Sequence, residues 1–224
     1  MELLTKFEPD VERVERFSYS ARFAHWGHTV TFLLCLFTGL LLFLEIEGLP
    51  AGMYVVATWL HRLGAIGFTI VPLVCLAVNF NGFVEWIKDV LSFGMNDIKF
   101  LMLFPLEFMG FHVDIPPQTK FNGGEKMNSV VTTTSCILVA LSGYIMWVPQ
   151  IFPAGLVATA YITHDIFMAL ATTMVCMHGY LGSFHPGSGE SIWGMVDGTV
   201  KSEWAEHHHK AWYDSVTGKE SEAE

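Results

Sequence analysis

The chain has 224 residues and a positive mean hydropathy although its ends are polar. Its apolar residues, 52% of the total, collect into long uninterrupted runs instead of short periodic patches, which indicates membrane spans and not a soluble core. Formal net charge is -10, and the few basic residues form no stripe with interleaved aromatics, which argues against nucleic acid as a partner.

In chain order, Met1 to Phe23 is mostly polar and carries Lys6, Arg13, Arg16 and Arg22. The apolar run after it is too long for a signal-peptide core and has no small-residue cleavage site, so this segment is read as retained. Four stretches can cross a hydrocarbon core of about 30 Å, which takes about 20 helical residues. They run over 24–44, 54–79, 127–148 and 157–180. The expected fold is all-α: a four-helix transmembrane bundle.

Residues 45–53 and 149–156 are short turns with Gly48, Pro50, Pro149 and Pro153, residues 80–126 form a long loop, and 181–224 form a polar tail. Within the loop, Phe83 to Phe93 interleaves apolar residues with Glu85, Lys88 and Asp89, the pattern of an amphipathic helix in the inner interface. No internal repeat is evident. Eleven of the twelve Lys and Arg fall in the N-terminal segment, the loop or the tail, and only Arg62 lies in a span. That bias places both termini on the cytoplasmic side of the cell (inner) membrane.

The four cysteines, Cys35, Cys75, Cys136 and Cys176, sit in four different apolar runs. Without CxxC or CxxCH they offer neither the usual iron–sulfur spacing nor covalent haem attachment. They read as small packing residues.

Ionisable side chains inside spans are costly and usually functional. His25 opens the first span and His178 nearly closes the fourth, at the same face of the membrane. His61 and His164 lie about two turns in from the opposite face. Depth therefore pairs His25 with His178 and His61 with His164. Fourteen residues separate His164 from His178, roughly 40° short of four full turns and roughly 21 Å along the axis. Both rings leave one face of one helix, so that helix can give an axial ligand to each of two stacked haems b. A bis-imidazole iron has no open position and carries electrons without binding oxygen. His28, one turn after His25, is the alternative inner ligand. His112, His185 and the run His207-His208-His209 lie outside the spans, the last in what reads as a solvated tail.

A quinone needs an apolar slot, a polar group for its carbonyl and a proton source. Asn122, Gly123, Gly124, Glu125 and Lys126 stand at the inner end of the third span. Asn122 can donate to a carbonyl, the glycines admit a head group, and Glu125 and Lys126 can relay protons. The plain alternative is a turn capping the third helix.

The segments RFAHW (22–26), Thr38-Gly39, WLHRLG (59–64) and KFNGGEK (120–126) are similar to the gamma subunit, a cytochrome b, of membrane-bound formate dehydrogenase. So are His164 with His178 and the tail from Gly194 to Tyr213. The resemblance covers nearly all of Arg22 to Tyr213. It implies two haems b, the inner held by His25 and His178 and the outer by His61 and His164. It further implies a menaquinone site faced by Asn122 and His178, an iron–sulfur partner subunit with its own transmembrane anchor, and a molybdenum or tungsten catalytic subunit. The family commonly has alanine where this chain has Gly123 and glutamine where it has Glu125. Hydrogenase and thiosulfate-reductase cytochromes b are looser relatives, so a nickel–iron hydrogenase is the alternative electron donor. A reading of another class is a haem-free anchor or proton-conducting bundle.

Overall fold

A computed structural model describes residues 11–111 and 113–218; His112 and both chain ends fall outside them. Nine α-helices and one two-stranded ribbon occupy this region. Four helices are long and apolar enough to cross a membrane: α1 (Tyr19–Leu44), α2 (Ala51–Val78), α5 (Gly123–Trp147) and α6 (Ala154–Ser183). α1 and α6 contain the expected spans 24–44 and 157–180, whereas α2 and α5 each start about a turn before theirs and end one residue short of 79 and 148. The structure is therefore all-helical apart from β1 (Arg13–Glu15) and β2 (Thr199–Lys201). The chain divides into two compact units, one built from Ser20–Phe80 and Thr132–Val175, the other from the segments that flank them.

The first unit is an apolar bundle turned inside out relative to a soluble protein. Phe32, Phe68, Cys136 and Ala171 form its buried cluster, one residue from each long helix. Outward-facing side chains include Val30, Phe37, Val56, Leu63, Ile70, Leu141, Ile162 and Ile166, as befits helices solvated by lipid. Small residues bring the helices close. A methyl group on Gly64 would meet Cys35 Sγ at 2.8 Å, and one on Gly67 would meet Thr31 Cγ2 at 2.9 Å. Tyr144 of α5 reaches α2 through Thr69 Oγ1 at 2.8 Å. Of the four thiols, Cys136 is buried, Cys35 and Cys75 are half-buried, and Cys176 is exposed, so only the first packs as fully as the sequence implies.

The second unit replaces the long loop and the solvated tail with ordered structure. The loop folds into α3 (Phe80–Leu91), which carries the amphipathic stretch, and α4 (Met95–Phe108). The tail folds into α7 (Ser191–Val196), β2, α8 (Ser202–His208) and α9 (Lys210–Thr217). β2 pairs antiparallel with β1, with Val14 opposite Val200. Val200, Ala205, Trp212 and Tyr213 make a small core there. The tail is thus a folded element and not a solvated strand, because its aromatic residues find an apolar face to bury.

Candidate functional site

The bundle holds a partly open cavity of about 410 Å³ whose lining includes His61, His164, Gly39, Gly143, Arg62 and Tyr144. Cofactor pockets run from about 300 to 1,000 Å³. The two imidazole centroids are 6.3 Å apart with planes inclined at 65°. Two metal–imidazole bonds of about 2.0 Å each, with the half-widths of two rings, come to this separation.

The hydrogen bonds decide the tautomers. His61 Nδ1 lies 3.0 Å from the carbonyl of Cys35, and His164 Nδ1 lies 3.0 Å from the carbonyl of Val139. A carbonyl can only accept, so both Nδ1 atoms carry the proton and each Nε2 keeps its lone pair. This is the usual support of a metal-bound histidine, whose other ring nitrogen donates to a carbonyl. Glycines cradle both rings: a Cβ on Gly39 would approach His61 Cε1 to 3.1 Å, and one on Gly143 would approach His164 Cε1 to 3.2 Å. These residues fit haem b, which supplies reversible one-electron transfer when bound. Arg62, the basic residue within a span, lies between two indoles, its guanidinium carbon 5.4 Å from the Trp59 ring and 5.2 Å from the Trp147 ring.

His25 and His178 lie on α1 and α6. His25 is half-buried and meets Trp26 edge-on at 5.0 Å, whereas His178 is exposed. His28 stacks on Phe68 with centroids 4.2 Å apart.

The segment at the start of α5 is a reciprocal helix cap. Asn122 Oδ1 accepts from the Glu125 amide at 2.9 Å, and Glu125 Oε2 accepts from the Asn122 amide at 2.9 Å. Gly123 is pressed against α4 so closely that a Cβ would stand 2.6 Å from the carbonyl oxygen of Asp97. The Gly123 amide donates to Gln118 Oε1 at 2.9 Å. Gly124 leaves room for the Asn122 side chain at 3.3 Å.

Both charges of this segment have fixed partners. Glu125 pairs with Arg16 at 3.1 Å. Lys126, 1% exposed, pairs with Asp97 at 3.0 Å. Arg16 also donates to the Lys120 carbonyl at 2.7 Å and to His209 Nε2, at 3.1 Å. His209 donates from Nδ1 to the Thr119 carbonyl at 2.9 Å. With Arg16 as donor to its other nitrogen, His209 is neutral. Burial above all, and then the Arg16 charge, push its pKa down to about 3, against an opposing pull from Glu125. This network of Arg16, Asp97, Gln118 and His209 was not legible in sequence, since its members are spread over almost the whole chain.

A family model of prokaryotic cytochrome b561 matches residues 16–198, and the chain belongs to that family. Haem b, electron transport and transmembrane helices come with it. Among curated relatives, the chain is 25% identical to the cytochrome b556 subunit of formate dehydrogenase from Haemophilus influenzae over 211 residues, 90% of this chain and 82% of that protein. It is 26% identical to the cytochrome b556(Fdn) subunit of the nitrate-inducible formate dehydrogenase of Escherichia coli K12, over 94% of this chain and 95% of the relative. The cytochrome b556(fdo) subunit of formate dehydrogenase from the same organism is 29% identical over 100 residues, 43% of this chain and 46% of the relative.

Proposed function

We propose that this chain is the diheme cytochrome b subunit of a membrane-bound formate dehydrogenase, linking an iron–sulfur subunit to menaquinone. The observation that carries the reading is the pair His61 and His164, both proton-bearing at Nδ1, 6.3 Å apart across an apolar cavity. The near full-length similarity to formate dehydrogenase b556 subunits supports formate over hydrogen as the ultimate donor.

In this reading His61 and His164 hold the outer haem, and His25 and His178 hold the inner one. The stacking of His28 on Phe68 supports His25 over His28. Both termini face the cytoplasm, as the bias of basic residues supports. The quinone head group lies against Asn122 and His178, with the backbone of Gly123 and Gly124 close by. The Asn122 carbonyl oxygen is engaged by the helix cap, so the amide N–H₂ is the end that donates to a quinone carbonyl. Glu125 and Lys126 act there by holding the cap and α4 in place, because Arg16 and Asp97 engage them. The partners are the iron–sulfur subunit with its own membrane helix and a molybdenum or tungsten catalytic subunit.

A pyridine haemochrome assay on the purified full chain tests this. Close to two haems b per chain is expected, and none would end the reading. His61→Ala is expected to lose one haem and keep the other. Asn122→Ala is expected to keep both but slow quinol formation, and unchanged quinone kinetics would move the pocket elsewhere. Haem reduction in the intact complex by formate and not by hydrogen would decide the donor.

A further inference from the structure

The outer pair of histidines is held by the same device twice. On α1, Cys35 and Thr38 are one turn apart and both face His61. Its Nδ1 lies 3.0 Å from the Cys35 carbonyl and 3.1 Å from Thr38 Oγ1. On α5, Val139 and Ser142 are one turn apart and both face His164, whose Nδ1 lies 3.0 Å from the Val139 carbonyl and 3.2 Å from Ser142 Oγ. A glycine follows each hydroxyl residue and its missing Cβ makes room for the ring. The hydroxyl residues stand 23 and 22 positions before the histidines they serve.

Each hydroxyl hydrogen is already committed. Thr38 Oγ1 is 2.6 Å from the Leu34 carbonyl, and Ser142 Oγ is 2.6 Å from the Leu138 carbonyl. Two oxygens approach so closely only when one donates, and a carbonyl cannot. Toward the imidazole each hydroxyl can therefore only accept, so each Nδ1–H is shared between two acceptors. Both hydroxyl residues are buried, Thr38 at 9% and Ser142 at 3% exposure, and neither needs this contact to satisfy its own hydrogen.

We propose that Thr38 and Ser142 are positioning residues of the outer haem site, each accepting the Nδ1–H of the facing imidazole and so setting ring orientation and donor strength toward iron. This rests on the reading of His61 and His164 as haem ligands. A single carbonyl acceptor lets the ring tilt about its hydrogen bond; a second acceptor one turn along the same helix removes that freedom. Withdrawing the Nδ1 proton toward two acceptors also makes Nε2 more basic, which favours ferric over ferrous iron and lowers the reduction potential. No covalent step is involved; the hydroxyls tune the site without touching iron.

The test uses full-length Thr38→Val and Ser142→Ala, with Thr38→Ser and Ser142→Thr as controls that keep the hydroxyl. Redox titration of the haem absorbance is expected to show one of two midpoints rising in Thr38→Val and in Ser142→Ala, further in the double variant, while the other midpoint stays. The low-spin ferric electron paramagnetic resonance signal, which reports the angle between axial imidazole planes, is expected to change for the same haem. The hydroxyl-retaining controls are expected to match the parent, and loss of one haem in Thr38→Val but not in Thr38→Ser also supports the assignment. Unmoved midpoints and signal in a protein that keeps two haems would overturn it, as would equal shifts in the hydroxyl-retaining controls. A parent protein without haem, or His61→Ala that keeps both haems, would instead strike at the ligand reading.

Discussion

Three imidazoles in this protein are held in the same way and end up with opposite roles. His61, His164 and His209 each donate from Nδ1 to a backbone carbonyl, at 3.0, 3.0 and 2.9 Å. What separates them is the second nitrogen. In His209 it accepts from the Arg16 guanidinium at 3.1 Å, and the ring is finished, neutral and structural. In His61 and His164 it keeps its lone pair, on rings that line a cavity. The two units differ in the same sense. One is closed by charges that neutralise one another, while in the other His61 and His164 give their Nδ1 protons to neutral acceptors and keep a lone pair at Nε2. A histidine becomes a candidate ligand through what its neighbours decline to satisfy.

The contrast is most sharply broken at Lys126. Lys126→Met leaves Asp97 buried without its cation, and loss of one partner of such a pair costs about 3–5 kcal/mol. A large fall in the unfolding midpoint in detergent, followed by tryptophan fluorescence, is expected, with the haem absorbance of the folded protein unaltered. Loss of haem from the folded protein would show that this ion pair also supports a haem site.

Gly123→Ala probes the same unit more gently. The added methyl group must displace the backbone of Asp97, which stands 2.6 Å from its position; such overpacking costs about 1–3 kcal/mol. The same fluorescence melt reads it. An unchanged midpoint would mean that α4 and α5 separate freely.

An effect of comparable size is expected on pH dependence. His209 has a folded pKa of about 3 against 6.5 ordinarily. Between those values the unfolded chain binds a proton that the folded chain refuses, so stability rises with pH across the window. The contribution is fully present above about pH 6.5 and fades as pH falls toward 3. Unfolding midpoints measured from pH 7 to pH 4.5 are expected to fall less steeply in His209→Gln than in the parent. Parallel slopes would mean that His209 opens to solvent before the unit unfolds.

Much of the bundle was legible beforehand, because apolar runs of this length have few alternatives to helix in a membrane. Each of the four spans matches one observed helix to within a residue or about a turn at its ends, and the amphipathic stretch after Phe83 lies largely within α3. The histidines at 61 and 164 were paired from depth, which depends only on helical rise. The tail was misread because three consecutive histidines look solvated, whereas His209 is 1% exposed; nothing local marks which of the three turns inward. The doubled cradle was also missed, although a signal existed. Thr38-Gly39 before His61 and Ser142-Gly143 before His164 are the same small hydroxyl–glycine step at nearly the same interval. Similarity at so few positions does not register as a repeat until the side chains are in place.

Hydropathy and helical rise, properties of residues taken in order, determined the four crossings and the levels of the imidazoles along them. Those quantities need no knowledge of what lies beside a residue. Tautomers, the cavity and the capture of Arg16, Glu125 and His209 in one network were decided only by tertiary structure. Each depends on which acceptor another segment presents within hydrogen-bonding reach, and direction at that scale is set by packing and not by order along the chain.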